Sequence, residues 1–420
     1  MSNQMATNQA VNQFSVYSDE YLRDMYNYYK ELRDNEPIFW NEEMKSWFIV
    51  KYQDVSKYLI GETFITSHLI SEKMDNLPQG EDAHFKDITD IISTWMIYND
   101  RPVHTQLRNH MNRAFMTNEI ELIKPVIKEI VTEIIEKVID NKSGSFDFIQ
   151  DIALPIPAMV LCRMLGIPSE EVDRFIKWSD DIALFMQNFV VSHTPDKEIS
   201  EQTKGSMKEM YVFLSKAIAD RRQEKKNDLL SRIIADTPGV NGELRDDQVI
   251  AQTIHLIFGG HKIPQFMLSN TLHLLFKYPH IFDQLKSDLS LLPKVLEECM
   301  RLEGPIQYIT RHAAVDIEIR GVKIKKGDSV YFFLGSAGRY DSVFENPEEF
   351  KIIRSGNRHI GFGGGFHACI AAVFARAEIV EILQGVLKSF PNLQPVYDLD
   401  NPQWTKNPTF HGITTMPVVY

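Results

Sequence analysis

The stretch Phe362-Gly-Gly-Gly-Phe-His-Ala-Cys369 decides how this 420-residue chain is read. Three consecutive glycines are poor material for helix or strand, but they suit positive φ and close approach of another group to the backbone. The residues that follow are Ala-rich, and Ile379, Ile382, Leu383, Val386 and Leu387 form a stripe at helical spacing. Cys369 is therefore expected just ahead of a helix N-terminus. Backbone N–H groups and the helix dipole there favour an anion, so a cysteine in that place tends toward thiolate, the form that binds metal. The glycines leave room for a large flat group. The competing reading of a lone cysteine is a buried structural residue.

Outward from this loop, helical periodicity dominates. Ile123, Val126, Ile127, Ile130, Val131, Ile134, Ile135 and Val138 predict one helix over 120–139, and similar stripes predict helices over 153–165, 207–220, 246–260, 266–276 and 291–302. Strand signals are fewer: Trp47–Tyr52, a hairpin at 315–324 turning at Gly321, and Val330–Leu334. The polar segments 74–87 and 192–205 read as loops of the kind that cover a site. Residues 1–14 are expected to be disordered, and 15–420 to form a single, mostly helical domain with small β regions. A net charge of −12 disfavours a nucleic-acid partner. No apolar run approaches the roughly 20 residues of a membrane span. Cys162, Cys299 and Cys369 show no disulfide or zinc spacing, which points to a reducing cytoplasm.

Phe362-Gly363-x-Gly365-x-His367-x-Cys369, followed by Ala375-Arg376-x-Glu378, resembles the haem-binding loop of the cytochromes P450, with Ala371 where the family usually has glycine. The resemblance extends over nearly the whole chain and is to soluble bacterial members. It implies the triangular, mainly α fold of that family, with haem b between the central helix and the cysteine loop. It also implies a Cys369 thiolate as the iron ligand, and Phe362, Gly363, His367 and Ala375 beside the cofactor. Asp100-Arg-Pro-Val-His104-Thr-Gln-Leu-Arg108 matches the family helix whose His and Arg contact haem propionates, and Arg311 is a further expected contact. Glu298 and Arg301 resemble the family's buried Glu-x-x-Arg pair, with Arg354 as third member.

One segment departs from the pattern. The family's central helix carries an acid and a threonine that deliver protons; here the run is Gly259-Gly260-His261-Lys262-Ile263-Pro264, with Lys262 and Ile263 in those two places. Ile cannot relay a proton, and Pro264 is expected to kink the helix. Counting back from Ile263, Gly259 and His255 fall near one face, making His255, Gly259, Lys262 and Ile263 the candidate catalytic positions. Phe258, Ile306, Gln307, Phe410 and the 74–99 segment join His255 and Gly259 as candidate pocket residues for a moderately hydrophobic small molecule. The resemblance implies a monooxygenase acting on a secondary-metabolite-like substrate, with electrons from a ferredoxin or flavodoxin. A peroxide-driven enzyme, or a haem-thiolate protein with non-oxygenase chemistry, stays open.

Overall fold

The computed structural model describes residues 15–112, 115, 117–191, 195–235 and 244–420; the expectation for residues 1–14 lies outside them. The chain divides into two compact units, each drawn from separate stretches: 15–66, 270–369 and 400–414 in one, and 67–269, 370–399 and 415–420 in the other.

In the first unit, five strands form a sheet in the order Ile38–Asn41, Ser46–Ile49, Ser329–Phe333, Tyr308–Ala313 and Phe64–Ile65. Ser46–Ile49 pairs parallel with Ser329–Phe333, and the other pairings are antiparallel. Strand alternation sorts the core into two faces. Phe39, Phe48, Tyr308, Tyr331 and Phe333 pack with Tyr21, Tyr28, Tyr29 and Leu32 of the helix Asp19–Asn35. Ile38, Ile49, Phe64, Val330 and Phe332 pack with Val55, Leu59, Leu334 and Ala337. The helix Asp19–Asn35 starts at Ser18, whose side chain accepts from the Tyr21 N–H, a standard cap. The expected hairpin consists of Ile317–Ile319 and Val322–Ile324, turning through Arg320 and Gly321.

The second unit is mainly helical, with a small sheet of Ser145–Asp147, Pro417–Val419 and Gln394–Pro395. It contains Thr117–Asp140, Pro155–Leu165, Val172–Val191, Lys197–Gln223 and Ala372–Ser389, together with residues 246–269 of the long central helix Asp246–Lys277. The two apolar stripes 246–260 and 266–276 belong to that one helix, whose helical run continues unbroken through Pro264.

Two segments expected as loops are largely helix: Asp82–Ile92, and Lys197–Gln223 beyond residues 192–194, which are not described. Phe85, Ile88 and Ile92 supply a short buried stripe that the surrounding charges obscure. In the first turns of Lys197–Gln223, ahead of the apolar stripe Met207, Met210, Leu214 and Ile218, the inward positions are small and polar: Ser200 Oγ donates to the His84 carbonyl at 2.8 Å and Thr203 Oγ1 to the Asp181 carbonyl at 3.0 Å. Buried hydroxyls with partners do the work that periodicity assigns to apolar side chains. Among the described residues no helix is long and apolar enough to cross a membrane.

Candidate active site

Cys369 closes a backbone loop: its N–H donates to the Phe362 carbonyl at 2.8 Å. Two glycines make the loop possible. Gly363 and Gly365 have φ of +72° and +64°, and a Cβ on Gly365 would fall 2.5 Å from the Leu59 carbonyl oxygen; an L side chain is excluded on both counts. Phe362, Gly363 and His367 are half-buried, the last on the single turn Gly365–His367. None of the three cysteines forms a disulfide, and only Cys369 is exposed. Burial pushes the thiols of Cys162 and Cys299 up to about 12, which keeps them protonated and poor ligands. The one accessible thiol therefore sits on a glycine loop three residues ahead of the helix Ala372–Ser389. That donor set fits a metal group bound through a single thiolate.

The start of the loop is pinned from behind. The Gly361 N–H donates to His359 Nδ1 at 3.1 Å, so in the neutral ring Nε2 carries the proton and donates to Glu297 Oε2, 2.9 Å away. Next to Glu297 the structure brings together Glu298, Arg301 and Arg354. Arg301 binds both Glu298 oxygens, through Nε at 2.9 Å and Nη2 at 2.7 Å. Its remaining N–H groups reach the carbonyls of Gly338, Pro347 and Glu349, so every guanidinium donor is used. Glu298 also accepts from Arg354 Nε at 2.7 Å, the Lys351 N–H at 2.9 Å and Asn357 Nδ2 at 3.1 Å. Glu298 and Arg301 are 0% and 1% exposed, so the pair is fully desolvated and depends on this saturation. His359, Glu297 and Asn357 were not singled out in the sequence; no spacing rule marks a residue that bonds back to a helix some 60 positions away.

Glu303, just beyond this helix, organises a second buried cluster. Burial alone would raise its pKa, but His411 Nε2 at 2.8 Å, Arg339 Nη2 at 2.9 Å and the Tyr26 hydroxyl at 2.7 Å hold the carboxyl down to about 2. The cluster ties the turn before Ile306 to the segment holding Phe410, and these two half-buried residues form an antiparallel bridge. Gln307 is different. It has no exposed surface, and its Nε2 donates to the Gly304 carbonyl at 2.9 Å. Its Nε2 takes its partner from its own loop, while its Oε1 is enclosed with no partner among the described residues. Arg311 lies half-buried on the strand Tyr308–Ala313, with Nη1 donating to the Thr310 carbonyl at 2.7 Å.

The second unit carries the remaining candidates. His104 is buried and Arg108 half-buried on the helix Val103–Asn112, one turn apart on the same side. Between Val249 and Phe276 the central helix is buried except at His255, Gly259, Gly260, Lys262 and Ile263. His255, Gly259 and Ile263 follow at steps of four, forming one accessible strip. A Cβ placed on Gly259 would meet nothing within 4 Å, so open space adjoins the helix there. Lys262 does not extend this strip as a free amine: its Nζ lies 2.6 Å from Asp180 Oδ1 on the helix Val172–Val191. Beside it, His261 was missed by the sequence reading. It is 2% exposed, its Nε2 donates to the Leu154 carbonyl at 3.2 Å, and burial pushes its pKa down to about 3.

Ala375 is buried in Ala372–Ser389, and one turn on lies Glu378, 1% exposed, whose Oε2 has no partner among the described residues. Burial raises its pKa well above the ordinary carboxyl value. Below about pH 4.3 folded and unfolded chains both hold this proton. Above it the unfolded chain releases the proton while the folded chain keeps it, so stability falls as pH rises. Glu378→Met is therefore expected to raise the melting temperature at pH 8, and by a smaller amount at pH 5, in a thermal-unfolding series.

Comparison with known proteins places this arrangement. Residues 41–412 match the family model described as Cytochrome P450. The chain is 27% identical over 410 residues to the Biotin biosynthesis cytochrome P450 of Bacillus subtilis, covering 97% of this chain and 98% of the relative. It is 28% identical over 412 residues to the 6-deoxyerythronolide B hydroxylase of Saccharopolyspora erythraea, covering 96% and 97%. Among solved structures, P450BioI in complex with hexadec-9Z-enoic acid ligated acyl carrier protein superposes with a TM-score of 0.85 at 25% identity, covering 96% of this chain and 100% of that one. The chain belongs to the cytochrome P450 family.

Proposed function

We propose that this cytochrome P450 monooxygenase binds haem b through the Cys369 thiolate and oxidises an apolar, secondary-metabolite-like small molecule. The observation that carries the reading is the single exposed thiol on its glycine loop, the other two being buried. When bound, the haem supplies the oxygen-activating chemistry of the family. The residues of this chain have separate tasks. The Cys369 N–H bond to Phe362 holds the sulfur in place, and the Glu298–Arg301–Arg354 network keeps the loop's support rigid. His104, Arg108, Arg311 and His367 would meet the propionates, Arg through its two-pronged guanidinium. Phe362, Gly363 and Ala375 would lie beside the ring. The strip of His255, Gly259 and Ile263, with Phe258, Ile306 and Phe410, would shape the substrate site. A relative named for polyketide biosynthesis, the polyketide biosynthesis cytochrome P450 PksS of Bacillus subtilis, 27% identical over 418 residues, supports that substrate class. Electrons would come from a ferredoxin or flavodoxin, and three cysteines without a disulfide suit work in the cytoplasm.

Proton supply differs from the family pattern. Ile263 has no exchangeable proton, and the Lys262 ammonium is engaged by Asp180. A substrate hydroxyl or an ordered water would therefore take the role at the position of the missing threonine. The same two side chains favour hydrogen peroxide as oxidant in the second reading, since peroxide brings its own protons. The test compares turnover supported by a ferredoxin and its reductase with turnover on peroxide alone, for the wild type and Ile263→Thr. If dioxygen is the oxidant, the variant forms severalfold more product per NADPH consumed, as expected for a restored proton donor. Turnover on peroxide alone, with no change in coupling, favours the second reading.

A further inference from the structure

His255 is the one uncommitted polar side chain on the accessible strip of the central helix. Gly259, Gly260 and Ile263 offer no side-chain polar group, and Lys262 is held by Asp180. The imidazole lies flat on Trp95, with ring centroids 4.9 Å apart and planes 17° apart. Trp95 is 0% exposed and also stacks with Phe258 at 5.8 Å. The segment carrying Trp95 is clamped to the same helix one turn earlier. Gln252 Oε1 accepts the Met96 N–H at 2.9 Å, and Gln252 Nε2 donates to the Thr94 carbonyl at 2.7 Å. The imidazole is thus set in a fixed plane rather than swinging from the helix.

The ring's nitrogens differ. Nδ1 is fully enclosed and has no hydrogen-bond partner among the described residues, although the residue as a whole is partly exposed. Nε2 is not among the enclosed atoms that lack a partner, so the residue's accessible part includes it. An enclosed N–H without a partner is costlier than an enclosed lone pair, so the proton belongs on Nε2. Burial pushes the imidazole's pKa down to about 4, which keeps the ring neutral near pH 7. The result is a rigid, uncharged N–H donor on a strip otherwise made of glycine and isoleucine.

We infer that His255 is a specificity-determining residue whose Nε2–H donates to a neutral oxygen of the substrate, such as a ketone, lactone or ether, on an otherwise apolar body. A carboxylate is disfavoured, because a buried anion needs a cation, and Lys262, the cation beside the strip, already has its counter-charge. This rests on the proposed reading of the strip as part of the substrate site. A donor left unpaired on binding costs about a factor of ten in affinity, equivalent to about 1.4 kcal/mol.

The experiment measures equilibrium binding of cyclododecanone and cyclododecane, which differ by one carbonyl, to the haem-loaded wild type, His255→Phe and His255→Gln. Phe keeps a flat ring to stack on Trp95 and removes the donor; Gln restores an N–H without the ring. The expected result is a roughly tenfold loss for the ketone in His255→Phe, partial recovery in His255→Gln, and an unchanged affinity for the hydrocarbon. Equal losses for both probes, no loss for either, or no binding of the ketone by the wild type overturns the assignment. The thiolate-type carbonyl absorption of the same samples reports separately on the haem-thiolate reading.

Discussion

Cys369→Ser is expected to abolish turnover and the thiolate-type absorption while leaving the stability of the haem-free fold nearly untouched. A serine hydroxyl stays protonated at neutral pH and is a hard, weak ligand where the family uses a soft thiolate. In the haem-free chain Cys369 is exposed, and surface substitutions shift stability by no more than about 0.5 kcal/mol; any larger loss in the loaded protein comes from weakened haem binding. Cys162→Ser is expected to do the reverse. Its thiol is 2% exposed, so an added hydroxyl is buried at a cost of about 1–3 kcal/mol, while turnover per folded molecule is retained. Urea unfolding and haem absorption, measured on both variants, separate the two roles. A Cys369→Ser protein that still shows the thiolate-type band would remove the basis of the account.

Arg301→Ala is the substitution with the largest expected effect on stability. It leaves the Glu298 carboxylate, 0% exposed, without two of its donors and strips partners from the carbonyls of Gly338, Pro347 and Glu349. Removing one member of a buried pair costs about 3–5 kcal/mol, a large part of the total of about 5–15 kcal/mol that holds a folded protein together. Arg301→Lys is expected to recover little, because an ammonium cannot reproduce the planar fork. In a double-mutant cycle with Arg354→Ala the losses should fall short of additive, since both side chains serve the same carboxylate. Chemical denaturation of the four proteins gives the coupling directly. A loss below about 1 kcal/mol in Arg301→Ala, the range of exposed pairs, would show that the network is not what supports the cysteine loop.

The helical elements were legible in the sequence because long apolar stripes repeat at helical spacing, as in Thr117–Asp140. The glycine loop was legible because few backbones require that composition. Elements built from buried hydroxyls were not, and Lys197–Gln223 was partly mistaken for a loop for that reason. The strand Ile38–Asn41 was missed because its four residues acquire meaning only against Ser46–Ile49. At the site, sequence spacing grouped Glu298 with Arg301 and lined up His255, Gly259 and Ile263. It could not supply the partner of Lys262, since Asp180 is more than 80 residues earlier. Nor could it show that Gln307 turns inward to its own loop.

The account's central claim is the sulfur–iron bond at Cys369, and the absorption spectrum of the ferrous carbonyl complex of the wild-type protein tests it most directly. Expressed with haem available, reduced and exposed to carbon monoxide, the protein should show the red-shifted absorption of a thiolate-ligated haem. A colourless protein, or a spectrum of the histidine-ligated type, would contradict it.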